Sequence, residues 1–123
     1  AMGADVAYIG SPFIATDEAR ASEEYKAGIV EGSAKDIVYS SLFTGVHGNY
    51  LRASIEKAGL DPDNLPESSP EAMSFGGAAG AKAWKDIWGS GQGIGAIDRV
   101  QPAGALVARW REEYRAAKAR VCS

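Results

Sequence analysis

A short apolar segment near the start of the chain, Val6–Ile9, limits most strongly what this sequence can fold into. Its residues do not alternate between apolar and polar, and Gly10-Ser11-Pro12 closes it. This pattern is typical of a strand buried on both faces of a parallel sheet. A piece of helix can show the same short pattern. Such a strand needs neighbours that pair with its backbone N–H and C=O groups. The rest of the chain offers at most one more β-leaning segment, Asp36–Tyr39. The sequence therefore predicts a fragment of a larger fold.

The remaining pattern is largely helical, and we predict a mainly α fold with one or two short strands. Thr16 and Ser22 are candidate N-caps, each followed by acidic residues that suit the positive end of a helix. Gly59 is a suitable residue to end a helix. The further predicted helices are Asn49–Lys57, Lys82–Trp88 and Ala103–Arg120. The proline-containing segment Asp61–Pro70 is predicted to be a loop. The clearest helix is the last, because it carries an apolar stripe made by Leu106, Val107, Trp110 and Tyr114.

Composition excludes several functional classes. With 123 residues, 46% hydrophobic and 24% charged, the chain fits one soluble globular domain. A net charge of -3 and a pI near 5.1 argue against nucleic-acid binding. Cys122 is the only cysteine, so we expect no disulfide framework, no thiolate metal site and a cytoplasmic location. No apolar run approaches the length of about 20 residues that a membrane span requires.

Two glycine-containing segments are candidate ligand sites. Gly10 and Ser11 directly follow the predicted strand, and in α/β barrels such loops often present backbone N–H groups to a phosphate. A simple strand-ending turn explains the same residues. The second segment is the glycine loop Gly89–Gly95. Gly91, Gly93 and Ala96 match a relaxed dinucleotide-binding pattern, but the segment before the loop is helical in pattern, so we reject a Rossmann site. A flexible loop remains, in which Gln92 can contact a ligand or simply form a turn.

We predict no catalytic residue and no metal ligand in this chain. His47 is the only histidine, and no Ser, Cys or carboxylate near it in sequence forms a relay, so a surface loop position explains it best. The tryptophans lie at helical spacing and are most simply core residues. The acidic stretch Asp17–Glu24 is best explained as a solvated helix face.

Several motifs in order along the chain resemble the nitronate monooxygenase (2-nitropropane dioxygenase) family, specifically its C-terminal portion. The segment from Gly3 to Glu18 is similar to the end-of-barrel pattern that closes the family's flavin phosphate site. The similarity continues through Asp36-Ile37-Val38, Phe43-Thr44-Gly45-Val46, Asn49-Tyr50-Leu51-Arg52, Lys82–Trp88 and Gly91-Gln92-Gly93-Ile94-Gly95. It therefore spans nearly the whole chain.

The resemblance implies part of an FMN-binding (β/α)₈ barrel with a helical substrate-side subdomain. Family members oxidise alkyl nitronates with FMN and O₂, and relatives reduce quinones or enoyl thioesters. The residues that this resemblance places at the cofactor are Gly10, Ser11, Pro12, Phe13, Gly91 and Gln92. The family's N-terminal barrel strands and catalytic histidine have no counterpart here, and His47 falls where relatives often carry proline.

From this resemblance we expect a single domain over residues 1–123. Residues 1–20 would hold the last barrel strand and the phosphate loop, residues 21–88 the helical subdomain, and residues 89–123 the glycine loop and C-terminal helix. We expect little or no oxidoreductase activity from the chain alone. The alternatives are a non-enzymatic homo-oligomeric module, such as a dimer, and a subunit that pairs with a separate N-terminal half-barrel.

Overall fold

The computed structural model describes residues 3–68 and 85–122, which form a mixed helical structure with a two-stranded antiparallel sheet. The helices are α1 Ser11–Ile14, α2 Glu23–Glu31, α3 Arg52–Lys57 and α4 Ala103–Val121, and the 3₁₀ helices are Ala34–Asp36 and Gln92–Ala96. The strands are β1 Ile37–Ser40 and β2 Gly48–Leu51.

The small sheet holds the start of the glycine loop in place. β1 and β2 pair in a register that runs from Ile37 opposite Leu51 to Ser40 opposite Gly48. On the other edge of β2, the Leu51 amide donates to the Trp88 carbonyl at 2.8 Å, and the Ser90 amide donates to the Asn49 carbonyl at 3.1 Å. Residues 88–90 thus lie beside β2 as a short antiparallel addition.

The core is small and joins α2, β2 and the second 3₁₀ helix. Its buried members are Ala15, Ile29, Leu51, Ile94 and Ile97. Gly28 in α2 and Gly32, which caps its C-terminus, permit this packing: a Cβ added at Gly28 would lie 2.7 Å from the Leu51 side chain, and one at Gly32 would lie 2.7 Å from the Ile94 side chain. Both glycines therefore allow close approach to the core, which for Gly28 offsets the poor helix propensity of glycine.

Several predicted helix boundaries are confirmed. Ser22 caps α2, since its side chain accepts from the Tyr25 amide at 3.2 Å. Gly59 follows α3 with a φ of 81°, and its amide donates to the Glu56 carbonyl at 2.9 Å. Residues 61–68 contain no helix or strand, as expected of a loop, and α4 extends the predicted helix by one residue, to Val121.

Other predictions were wrong. Val6–Ile9 is neither strand nor buried, because no described strand lies beside it, and Val6 and Tyr8 are 88% and 104% exposed. Thr16 does not cap a helix; its hydroxyl donates to the Phe13 carbonyl at the end of α1. The predicted helix Asn49–Lys57 begins only at Arg52, because Gly48–Leu51 pairs with β1.

The stripe on α4 is only half buried. Leu106 is buried and Trp110 half-buried, whereas Val107 and Tyr114 are exposed. The predicted helix Lys82–Trp88 falls partly outside the described residues; Lys85 and Asp86 are helical, and Trp88 follows the helix end. Within the described ranges, no helix is long and apolar enough to cross a bilayer.

Candidate functional site

The two segments predicted to meet a cofactor lie against each other. The Ser11 hydroxyl oxygen accepts a hydrogen bond from the Gly91 amide at 2.8 Å, although the two residues are 80 positions apart. A Cβ added at Gly91 would lie 3.2 Å from that oxygen, so glycine permits the close approach. Because Ser11 uses its oxygen as the acceptor, its hydroxyl hydrogen stays available for a ligand.

Local contacts around Gly10–Phe13 form the first turn of α1. Gly10 precedes the helix, and its carbonyl accepts from the Phe13 amide at 3.0 Å. Pro12 lies within the first turn, where a missing N–H costs nothing. The Phe13 ring packs edge-on against Trp110 of α4, with ring centroids 5.5 Å apart. The turn is thereby anchored to the C-terminal helix.

A second set of contacts ties the chain after α1 to the start of α4. The Asp17 amide donates to the Gln101 carbonyl at 3.1 Å, and the Gln101 amide donates to the Ala15 carbonyl at 3.3 Å. The Glu18 carboxylate accepts from the Ala103 amide at 2.8 Å, and this hydrogen bond is the main reason the pKa of Glu18 lies below its ordinary value. Glu18 therefore caps the N-terminus of α4, because Pro102 at the N-cap position has no side-chain acceptor.

The glycine loop is anchored through Trp88 and Gly89. The Trp88 amide donates to the Ser54 hydroxyl at 3.0 Å, and the Tyr25 hydroxyl donates to the Gly89 carbonyl. The Trp88 ring stacks on Tyr25 with centroids 4.9 Å apart, and Lys57 lies 5.8 Å from its centroid. Burial raises the pKa of Tyr25, so its hydroxyl stays protonated and able to donate at neutral pH.

A cavity of about 140 Å³ opens beside this contact. Pro12 and Gly93, one from each segment, lie on its wall with Leu106 and Trp110. Its charged lining comes from Arg99, Arg109 and Glu113, and Gln101 adds an amide side chain.

Arg109 is held at the cavity by carboxylates. Its Nη1 donates to Asp98 at 2.9 Å, which lowers the pKa of Asp98, and its Nε lies 3.5 Å from a Glu113 oxygen. That Nε is buried and has no hydrogen-bond partner among the described residues. The cationic charge of Arg109 is therefore largely balanced.

The six residues predicted at the cofactor lie at or next to one contact in the chain. Ser11 and Gly91 are in direct contact, and Gly10, Pro12, Phe13 and Gln92 adjoin that contact in the chain. His47 is exposed and stacks on Tyr39 with centroids 4.7 Å apart, so it belongs to the β1–β2 hairpin. Sequence reasoning missed Glu18, Gln101 and Arg109. Arg109 directly precedes Trp110, a residue of the predicted apolar stripe on α4, and this position was the signal that could have identified Arg109 from the sequence.

Comparison with known proteins gives distant support for the resemblance. The chain is similar to the nitronate monooxygenase npaC of Metarhizium robertsii, with 28% identity over 130 residues. The alignment covers 94% of this chain but 36% of that protein, so the chain spans about a third of the relative's length. No family model matches the chain, and no solved structure matches it. The similarity supports a loose link between this chain and an oxidoreductase of the nitronate monooxygenase type.

Proposed function

We propose that this chain is the part of an FMN-dependent, nitronate monooxygenase-like oxidoreductase that closes the FMN phosphate site. The observation that carries the proposal is the hydrogen bond between Ser11 and Gly91, because it joins the two segments that the resemblance assigns to the cofactor. The distant similarity to a nitronate monooxygenase supports the same role.

The residues at this contact fit a phosphate group. The first amides of a helix have no partner inside it, so α1 and the 3₁₀ helix Gln92–Ala96 offer the amides of Ser11, Gln92 and Gly93. The Ser11 hydroxyl adds one donor. Cβ atoms built at Gly10 and Gly93 would meet nothing within 4 Å, so the backbone is open to a ligand there. FMN would supply the redox chemistry, and these groups would bind and orient its phosphate.

The cavity beside the contact is sized for part of a cofactor rather than for a whole one. Pockets for drug-sized ligands and cofactors usually measure roughly 300–1,000 Å³, well above the 140 Å³ found here. A space of this size holds a phosphate-sized group but does not enclose a flavin ring. We therefore expect little or no nitronate turnover by the chain alone, and nitronate consumption with added FMN at rates typical of complete enzymes would contradict this.

Binding is tested by titrating the chain with FMN and with riboflavin while following flavin fluorescence. Riboflavin lacks the phosphate and serves as the matched control ligand. We expect saturable quenching at micromolar FMN, and riboflavin affinity lower by on the order of tenfold, which corresponds to about 1.4 kcal/mol. No quenching by FMN, or equal affinities for the two flavins, would contradict the phosphate site.

The exposed segment Gly3–Gly10 favours a second candidate, a subunit that pairs with a separate polypeptide carrying the remaining barrel strands. Val6 and Tyr8 are almost fully exposed there, although β-branched and aromatic residues favour strands. The test is amide hydrogen exchange of residues 3–10, alone and with the part of the fungal relative outside the alignment. Slower exchange in the mixture supports pairing; unchanged exchange counts against it.

A further inference from the structure

Helix α4 carries an apolar seam that the described part of the fold leaves partly exposed. Apolar residues recur along it at alternating spacings of four and three, as in the a and d positions of a coiled coil. With Val107 at an a position, the seam consists of Ala103, Val107, Trp110, Tyr114, Ala117 and Val121.

The structure shows that α4 contacts its own fold through a different side. The α4 residues on the cavity wall are Leu106, Arg109, Trp110 and Glu113, so Trp110 alone belongs to both sides. The a positions of the seam are open: Val107 is 43% exposed, Tyr114 69% and Val121 64%. Val107, Tyr114 and Val121 lie in one line on this 19-residue helix, so together they offer a continuous apolar surface that a partner could cover.

We propose that a second copy of this chain covers the seam, with the two α4 helices parallel. The charges beside the seam favour this occupant. In a parallel pair, a g residue faces the e residue of the following heptad in its partner, which places Glu113 of each copy opposite Lys118 of the other.

The antiparallel arrangement is disfavoured by the same charges. When two antiparallel α4 helices overlap along their whole length, g positions lie opposite g positions and e positions opposite e positions. Glu113 then faces Glu113 of the other copy, and Arg111 faces Arg111. Like charges placed opposite each other destabilise a helix pair. The parallel dimer is thus the arrangement in which both the apolar residues and the charges of the seam are matched.

The dimer is weak and depends on concentration, because the seam is less than three heptads long and its d positions include two alanines. It needs no flavin and no pairing of residues 3–10. It is therefore measured on the full chain without FMN, and its failure leaves the phosphate-site proposal untouched.

Sedimentation equilibrium over a range of chain concentrations tests the seam. We expect a monomer–dimer equilibrium in the unaltered chain and at least a tenfold weaker association in Tyr114→Lys. Ala119→Lys is the matched control, because it adds the same charge at an exposed position on the opposite face of α4. A monomer at every concentration, or equal association in Tyr114→Lys and Ala119→Lys, would overturn the proposal.

Charge reversal tests the parallel direction. Glu113→Lys and Lys118→Glu each place like charges opposite one another and should weaken the dimer, while the double reversal restores opposite charges and should recover association. Circular dichroism on each variant confirms that α4 stays helical. Association in the double variant no stronger than in the single variants would overturn the parallel arrangement. Cys122, exposed just after the helix, gives an independent readout: mild oxidation should cross-link the unaltered chain faster than Tyr114→Lys.

Discussion

Gly91 and Ser11 show how a single pair of residues determines the geometry of the candidate site. The pair could be anticipated only in part from sequence. The resemblance assigned both residues to a cofactor, but their direct hydrogen bond depends on the packing of α1 against the glycine loop across 80 positions. Glu18 was assigned to a solvated helix face, and its capping of α4 was missed because the acceptor and the helix it caps are 85 positions apart. Local patterns contain no information on such distant pairs.

Gly91→Ala should destabilise the contact between the two segments. The added Cβ would crowd the Ser11 hydroxyl, and loss of that hydrogen bond should lower the free energy of unfolding by about 1–2 kcal/mol. Gly93→Ala is the matched control, since its Cβ meets nothing within 4 Å and the change should be neutral or slightly stabilising. Urea denaturation of both variants measures the difference. Equal stability of the two would show that the Ser11–Gly91 contact does not constrain the loop.

Glu18 should make stability depend on pH in the acidic range. Its pKa is lowered in the folded chain, mainly by the hydrogen bond from the Ala103 amide, so its contribution is fully present above the ordinary value of 4.5 and is lost as the pH falls through the lowered pKa. The stability difference between the unaltered chain and Glu18→Gln should therefore be largest near neutral pH and shrink below pH 4.5. Glu31→Gln, at an exposed position on α2, serves as the control. A difference that stays constant down to low pH would contradict the capping role.

At the scale of elements, helices with their caps inside the local sequence were predicted well, and elements that need a distant partner were not. Ser22, Gly59 and the apolar spacing of α4 act within a few residues, so α2, the end of α3 and α4 were predicted correctly. Residues 48–51 were assigned to a helix and form β2, because pairing with β1 overrides their local preference. The segment Val6–Ile9 is the opposite case, in which a strand-like pattern finds no partner in the described structure.

The docking of α4 should depend on Leu106 far more than on its neighbour Val107. Leu106 is 2% exposed, so Leu106→Ala should cost about 2–4 kcal/mol of unfolding free energy through lost burial and the cavity left behind. Val107 is 43% exposed, and Val107→Ala should cost less than about 1 kcal/mol in dilute monomer. Denaturation at low chain concentration tests this. Similar losses from both variants would mean that α4 docks through the seam.

Tyr25→Phe should loosen the glycine loop while leaving the ring packing in place. The change removes the hydroxyl that donates to the Gly89 carbonyl but retains the stacked contact with Trp88, so we expect a loss of about 1 kcal/mol and faster amide exchange in residues 88–91. Tyr39→Phe, on the exposed hairpin, is the control. Unchanged exchange in Tyr25→Phe would show that the pairing with β2 alone holds the loop.

At the scale of the whole molecule, the described structure combines a small core with apolar residues left on the surface. The core residues are clustered between α2, β2 and the second 3₁₀ helix, while Val6, Tyr8 and the α4 seam remain exposed. The mainly helical composition and the β-leaning segment that becomes β1 were predictable from local patterns, whereas β2 was predicted to be helical. The antiparallel pairing of the strands was not predictable, because it depends on contacts between segments rather than on any one segment. The proposed phosphate site draws on the contact between Ser11 and Gly91, and the proposed dimer draws on the residues that α4 leaves exposed.

The most direct test of the proposed phosphate site is the affinity of Ser11→Ala for FMN. The variant removes the hydroxyl that accepts from Gly91 and that would donate to the phosphate, so FMN should bind on the order of tenfold more weakly. Ser40→Ala is the control, because it likewise removes a hydroxyl that accepts from a backbone amide, at 3.1 Å, but lies at the end of β1. Weaker FMN binding in Ser11→Ala with unchanged binding in Ser40→Ala is the predicted result. Equal FMN affinity in Ser11→Ala and the unaltered chain would contradict the phosphate site.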